Sequence, residues 1–399
     1  MITEAAVIGA GPAGLLAAEE IARQGFSVDI FEEHRKVGYP VHCAGMVSVE
    51  GFERLGVMPD PVFHQNTVYG GRIFSPDGNC ITIRDQKPRA YIIDRGRFDS
   101  FLAERAVNRG VRINTGKRVN RIKFKEGRAH KLVMDDSEIQ AEIFIDAEGA
   151  KGRVLSRSGV DTCQESILNG FNVEMNVDYV ESDMVEVWFD NEVAKDFFTW
   201  VIPLSENKVR CGLGTSRPDG ARSLIKFVEK RFGEKPDNVI HSGLLCTGGP
   251  VKKTVYPRLM LVGDVAGQVK PTTGGGLVIG GLCAQMAGRI AAKALGYEEH
   301  DLEEYESKWR KSYDSELQTM LYLRRLLNHL SNERMNRLFH IAIEENLEKK
   351  FTKLVEEGDM DMQAGVIKRG LRDPLIIGAL MRTVGRLALS ELFSVFKLR

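Results

Sequence analysis

The sequence predicts an α/β protein with a discontinuous Rossmann-type nucleotide-binding domain, a β-sheet second domain and a C-terminal helical region. Three observations carry this expectation. A Gly-x-Gly-x-x-Gly fingerprint lies in register between a strand, a helix and a second strand within residues 1–32. Residues from about 163 to 246 are mostly strand-like, with apolar and polar side chains alternating in several runs. From residue 301 onward the pattern is helical, with heavily charged faces.

The elements follow in order. Ala5, Ala6, Val7 and Ile8 form an apolar strand that enters Gly9-Ala10-Gly11-Pro12-Ala13-Gly14, and a helix-forming run and a second strand lead to Glu32. Gly9 permits the tight turn, Gly11 lets the backbone approach a pyrophosphate, and Gly14 lets helix pack on strand. The N–H groups at the helix start, at the positive end of its dipole, hold the diphosphate. Glu32 lies where an acidic side chain accepts from a ribose hydroxyl, which favours FAD or NAD over NADP. Pro12, Ala13 and Glu33 fall within the expected cofactor contacts, as does Val119 further along the chain.

A Gly-rich loop spans residues 37–46, and 67–74, 79–83 and 90–93 read as short strands. A helix over 97–109 precedes strands at 111–115, 119–125, 130–134 and 142–146. In the second domain 171–177 and 184–189 alternate clearly, and 221–232 is an amphipathic helix. The strand at 258–262 ends on Gly263-Asp264, and a helix covers 274–295. The expected boundaries are 1–61, 94–160 and 255–298 for the nucleotide domain, 62–93 and 161–254 for the β-rich domain, and 299–399 for the helical region.

Composition narrows the function classes. The 399 residues are 43% hydrophobic, enough for a proper core, and 55 basic residues balance 55 acidic ones. No global charge argues for nucleic acid. The six cysteines (Cys43, Cys80, Cys163, Cys211, Cys246, Cys283) form no Cys-x-x-Cys pair, so no metal site is expected and a reducing cytosol fits. The first strand starts almost at once, which leaves no room for a signal peptide. The uncharged run 271–288 is too rich in glycine for a membrane span. The expected location is therefore cytoplasmic. Residues 369–399 mix Leu371, Leu375, Ile376, Leu387 and Phe396 with Arg369, Arg372, Arg382, Arg386 and Lys397. Such a segment either lies on the inner membrane surface or packs in a core or dimer interface.

Further segments resemble flavoprotein motifs. Gly263-Asp264-Val265-Ala266 resembles the Gly-Asp motif of the para-hydroxybenzoate hydroxylase-like superfamily, which implies FAD with Asp264 at the ribityl chain. Pro271 and Gly274-Gly275-Gly276-Leu277 look like its flavin-pyrimidine loop, and Arg95 matches a flavin-contacting arginine. Asp146-Ala147-Glu148-Gly149 resembles its internal Asp-Gly motif, with Glu148 where Asp is usual. Within the superfamily the chain is similar to the geranylgeranyl reductase family, whose archaeal branch saturates digeranylgeranylglycerophospholipids. The residues that carry this are Gly38-Tyr39-Pro40-Val41-His42-Cys43-Ala44-Gly45-Met46 and Phe198-Thr199-Trp200-Val201-Ile202-Pro203 with its trailing Gly212-Leu213-Gly214. Ala44-Gly45-Met46 departs from the family's Gly-Glu-Gly, and Ile202 from its Phe.

The resemblance implies FAD contacts at Cys43, Ala44 and Met46, an isoprenoid wall at Phe198, Trp200 and Pro203, and a geranylgeranyl-chain lipid as substrate. Reduced flavin N5 would give the hydride. Each feature has a plainer reading: Trp200 and Phe198 as core aromatics, Cys43 as an inert thiol rather than a catalytic one, His42 as a loop histidine, Lys270 as a solvated loop lysine. No residue announces itself as proton donor. The electron donor is open between a nicotinamide, a ferredoxin and another reductant. The Phe198-to-Pro203 segment also resembles the Trp-x-Trp-x-Ile-Pro motif of flavin-dependent halogenases, for which Lys87 is the one loose catalytic lysine. That rival, a monooxygenase, and a non-catalytic flavin sensor or lipid binder stand as alternatives.

Overall fold

The structure is a computed structural model that describes residues 2–161, 166–297 and 301–384. Among these, eight strands build the nucleotide-binding sheet. Its core is parallel, in the order Leu259–Leu261, Glu138–Asp146, Ile2–Ile8, Val28–Glu32, Arg112–Thr115. The central strands are largely apolar on both faces because both are covered. Ala5 and Val7 face the fingerprint helix Pro12–Ala22, while Ala6 and Ile8 face a second cluster with Phe144 and Leu155. The antiparallel pair Arg121–Lys125 and Arg128–Val133 extends the sheet beside Glu138–Asp146.

Seven strands make the second sheet, in the order His241–Cys246, Ile167–Asn176, Lys208–Thr215, Thr199–Ser205, Met184–Trp188, Gly70–Phe74, Cys80–Arg84. The helix Gly220–Phe232 covers one face, over Val173, Val201, Val209 and Leu213. The opposite face carries Leu168, Val185, Trp200, Ile202 and Leu204. It is closed by the small sheet Met46–Ser48, Ala90–Ile93, His64–Val68.

Two sequence expectations are corrected. The single strand expected over 67–74 is two strands in two sheets: His64–Val68 pairs with Ala90–Ile93, and Gly70–Phe74 pairs in parallel with Met184–Trp188. The chain changes sheet at Tyr69, whose N–H donates to Asp183 O (2.8 Å), and Gly70 follows because a Cβ there would collide with Ile83 O. The loop read as continuous from residue 37 ends in a strand, Met46–Ser48, and a short helix, Val49–Arg54. Ser48 caps that helix by accepting from Gly51 N (2.9 Å).

The C-terminal helices serve both sheets. Tyr305 and Trp309 are fully buried in the nucleotide-domain core, where Tyr305 Oη donates to Leu261 O (3.0 Å) and Trp309 Nε1 to Thr254 Oγ1 (2.8 Å). Leu330, Met335, Phe339 and Ile376 pack instead against Ile73, Ile81 and Ile83 of the second sheet. In the basic segment that suggested membrane contact, Ile376 is buried and Leu375 is exposed, while Leu387, Leu392, Phe393, Phe396, Arg386, Lys397 and Arg399 lie outside the described residues.

Candidate active site

The three fingerprint glycines divide their work. At Gly9, with φ +92°, a Cβ would sit 2.5 Å from Ala147 O. A Cβ on Gly14 would collide with the Gly9 carbonyl, so this glycine sets the helix-to-strand approach. A Cβ on Gly11 would meet nothing within 4 Å, and neither would one on Gly149. Gly11 is the N-cap of the helix Pro12–Ala22, which has no side-chain cap, so its first N–H groups stay available to an anion. Glu32 is almost buried; its carboxylate accepts from Ala10 N (2.8 Å), His34 N (2.9 Å) and His34 Nδ1 (2.6 Å). It therefore holds the glycine turn as well as the strand end where a ribose would reach. Glu33 is partly exposed and lies 3.5 Å from Arg118. Val119 has its side chain in the core cluster, so any contact with a dinucleotide falls to its backbone.

Glu148 has a definite task of another kind. Its carboxylate accepts from Val154 N (2.8 Å) and Leu155 N (3.1 Å), capping the short helix Arg153–Arg157. Its carboxylate is thereby committed to the helix, and Gly149 beside it supplies the open space. Asp146 is fully buried and accepts from Glu148 N (2.9 Å). Burial, then the neighbouring Glu148 charge, pushes the Asp146 carboxyl well above its usual range.

The loop from Asp264 to Gly276 forms the far wall. Lys270 N donates to Gly275 O (3.1 Å) and Gly274 N to Lys270 O (2.8 Å), a tight turn that needs the positive φ of Gly274. The next helix, Leu277–Leu295, begins at Gly276 without a side-chain cap. A Cβ on Gly276 would lie 2.7 Å from Asp264 Oδ1, and one on Gly281 would lie 2.9 Å from Leu16. Further along, Gly288 abuts Ala17 and Glu20. Contacts that advance along both helices together mean that the two run the same way, with both uncapped N-termini at one end. Two such ends side by side favour negative charge, as a dinucleotide carries. Pro271 lies in this loop, and Leu277 opens the helix. Arg95 is paired with Asp99 (3.0 and 3.1 Å); burial works against its charge, but Asp99 and then Cys43 raise its pKa overall. Burial raises the Asp264 carboxyl, and the Arg95 charge opposes this.

The Cys43 loop and the aromatic segment meet through residues that sequence reading missed. Cys43 is exposed, with Gly45 N 3.4 Å from Sγ. Asn172 Nδ2 donates to His42 O (2.9 Å), and Asn172 Oδ1 accepts from Trp200 Nε1 (3.1 Å). Arg210 donates to Ala44 O (2.7 Å) and Glu174 (2.6 Å). A charged residue inside the apolar motif 209–214 was the available signal for Arg210; Asn172 had none. Burial, then His241, lowers the pKa of His42, which favours its neutral loop reading.

The trailing Gly-x-Gly makes room for aromatic rings across the sheet. Trp200 pairs in register with Gly212, where a Cβ would lie 2.5 Å from Trp200 Cζ2, and a Cβ on Gly214 would lie 2.6 Å from the Phe197 ring. Trp200 is 7% exposed, and Phe198, half-buried, packs edge-on against it at 5.9 Å and stacks on Phe197 at 4.2 Å. Phe198, Ala44, Met46, Leu245 and Met360 form the partly open rim of this cluster. Pro203 does not join it. Alternation along Thr199–Ser205 puts the Pro203 ring on the face of Val201, away from Trp200 and Ile202, while its backbone carbonyl accepts from Asn66 Nδ2 (2.9 Å).

A strap from the C-terminal region ties these parts together. Lys270 is not a solvated loop lysine: Nζ donates to Asp361 Oδ1 (2.6 Å) and Met360 O (3.1 Å). Asp361 is 1% exposed and also accepts from Ser48 Oγ, so one carboxylate joins the far-wall loop to the strand that follows Cys43. Thr272 Oγ1 donates to Gln363 Oε1 (2.7 Å), and Asp359 pairs with Arg54. Asp361→Asn strands the Lys270 ammonium and is expected to cost about 3 kcal/mol. Urea unfolding measures this, and adding Lys270→Met should recover part of the loss.

Among the described residues no cluster of His, Cys, Asp and Glu is arranged to hold a metal, and no helix is long and apolar enough to cross a membrane. Lys87 is exposed, in the turn after Cys80–Arg84, apart from the cluster around Trp200.

Comparison with known proteins places the chain among flavoproteins. The tryptophan halogenase family model matches residues 57–324, and the NAD(P)-binding Rossmann-like domain model matches 7–50. Digeranylgeranylglycerophospholipid reductase of Methanocaldococcus jannaschii is 29% identical over 374 residues, 89% of this chain and 95% of that protein. Digeranylgeranylglycerophospholipid reductase 2 of Methanothermobacter thermautotrophicus is 30% identical over 346 residues, 83% of this chain and 89% of that protein. A geranylgeranyl bacteriochlorophyll reductase-like protein of Thermoplasma acidophilum superposes with TM-score 0.82 at 21% identity, covering 98% of this chain and 99% of that one. A flavin-dependent brominase gives TM-score 0.70 at 17% identity, over 92% and 98%.

Proposed function

This chain belongs to the digeranylgeranylglycerophospholipid reductase family, on a flavoprotein scaffold common to the tryptophan halogenases, and from that premise we propose that it is an FAD-dependent reductase of isoprenoid double bonds in geranylgeranyl lipids. One observation carries the substrate reading beyond the family name. The apolar rim of Phe198, Ala44, Met46, Leu245 and Met360 adjoins both the Cys43 loop and the Gly274 loop. An apolar chain lying there would reach the edge of the dinucleotide cradle.

The cradle suits FAD: two uncapped helix ends, open space at Gly11 and Gly149, and Glu32 at the ribose end. When bound and reduced, FAD supplies a hydride from N5. The chain supplies the rest. Saturation of one double bond takes a hydride and a proton, and protonation of a trisubstituted alkene creates tertiary cation character that water would quench. The Phe198–Met46 rim excludes water there. Cys43 is our candidate to hold the proton at Sγ and pass it to the alkene. Electrons for the cofactor come from a donor outside the chain, a nicotinamide, a ferredoxin or another reductant. A lipid substrate fits a cytoplasmic protein that works at the inner membrane surface.

The test is anaerobic. Dithionite-reduced protein is mixed with digeranylgeranylglyceryl phospholipid, and flavin absorbance and lipid mass are followed together. Reoxidation with a gain of one H2 per double bond is expected. Flavin that stays reduced over unchanged lipid, then reoxidises with oxygen and halide, moves the assignment to the halogenase branch.

A further inference from the structure

Arg324 lies on the helix Ser315–Asn328, outside every motif that the function uses, and is 3% exposed. Its guanidinium donates from Nε to Pro271 O (3.1 Å), from Nη2 to Thr272 O, and from Nη1 to Asp196 O (3.4 Å). Its carbon lies 4.4 Å from the ring centre of Phe197 and 5.9 Å from that of Phe198. A cation removed from water needs compensation. Here carbonyl dipoles and aromatic faces supply it, a setting that suits the planar, weakly hydrated guanidinium better than an ammonium. Burial lowers its pKa to about 10, with Asp196 opposing, so it stays charged at neutral pH.

The two carbonyls belong to the loop that precedes the uncapped helix at Gly276. Across a trans peptide the carbonyl and the following N–H point in opposite directions. Drawing the Pro271 and Thr272 carbonyls toward Arg324 turns the Thr272 and Thr273 N–H groups away from it; Thr273 N accordingly donates back to Lys270 O (3.3 Å). The same guanidinium rests on Phe197, which stacks on Phe198. One side chain thus sets the loop's peptide planes and braces the aromatic rim.

We propose that Arg324 is a positioning residue of the flavin site: it fixes the Pro271–Thr272 peptide planes for ring binding and keeps a positive charge behind the loop that favours the reduced, negatively charged ring. This rests on the flavin reading above. The charge has the same sign as the N-terminal end of the helix Leu277–Leu295, which the same loop enters.

The experiment compares wild type, Arg324→Met and Arg324→Lys as full-length protein loaded with FAD. It reads the dissociation constant of oxidised FAD and the midpoint potential against a redox dye. Arg324→Met should bind FAD more weakly and shift its midpoint to more negative potential, lowering the reduced-to-oxidised ratio at fixed dye potential by about tenfold, the scale of one charge roughly 12 Å away at an effective dielectric near 20. Arg324→Lys keeps the charge and loses the fork, so it should hold a near-wild-type midpoint with weakened FAD binding. Arg324→Met with wild-type affinity and midpoint overturns the proposal, as does Arg324→Lys with wild-type affinity. Should the Met variant not fold, the Lys variant alone decides through its affinity. Wild-type protein that takes up no flavin overturns the functional reading itself, and this inference with it.

Discussion

Gly11→Val should yield folded, colourless protein. The backbone at Gly11 has φ −72° and ψ 173°, an extended conformation that valine adopts freely. A Cβ there touches nothing within 4 Å, so neither the fingerprint helix nor the sheet has to move. The helix loses only the modest advantage of glycine over valine as an N-cap, about 1 kcal/mol. The space that the isopropyl group fills is the one in front of the free helix N–H groups, where a pyrophosphate would lie. The predicted signature is a melting temperature close to that of the apo wild type, with no flavin absorbance after reconstitution. Gly14→Val is the control with the opposite signature: its Cβ collides with the Gly9 carbonyl, so fold and cofactor should be lost together. A yellow Gly11→Val protein would falsify the assignment of the cradle.

The contrast between these glycines shows what the sequence made legible. The fingerprint could be read because it is local: turn, helix start and acidic strand end fall within 32 residues, and each obeys a rule of backbone geometry. The strand alternation of the second sheet was legible for the same reason. What escaped was long-range. Asn172 bonds His42, 130 positions away, and Trp200, 28 positions away, and nothing in its local pattern marks it. Arg324 sits in a helix, and Asp361 between two helices, of the region read as helical with heavily charged faces, yet both are buried against the loop after Asp264. Pro203 shows the reverse error. It belongs to the motif by sequence, and strand periodicity turns it away from the aromatic rim. The strand expected over 67–74 failed because a strand-like run continues through Tyr69, where the chain changes sheet.

Trp200→Ala and Phe198→Ala should separate two roles that the motif joins. Trp200 is 7% exposed, packs its indole over Gly212, and spends its N–H on Asn172. Its removal opens a cavity over Gly212 and leaves the Asn172 carbonyl without its donor, at a cost of about 3–5 kcal/mol. Asn172 also holds His42 O, so the loss should spread to the Cys43 loop, and turnover should fall together with stability. Phe198 is only half-buried, at the rim of the same cluster. Truncating it removes apolar surface of which part is already exposed, at about 1 kcal/mol, while stripping the rim of its largest ring. The expected pattern is a large drop in denaturation midpoint for Trp200→Ala and a small one for Phe198→Ala. Flavin should be retained in Phe198→Ala, with turnover on a long isoprenoid chain strongly reduced. Equal stability of the two variants would make Trp200 part of the substrate surface rather than its support. Unchanged kinetics in Phe198→Ala would move the isoprenoid chain away from this rim altogether. Because the two side chains share one sheet face, only this split between stability and turnover assigns the wall to one and its scaffold to the other.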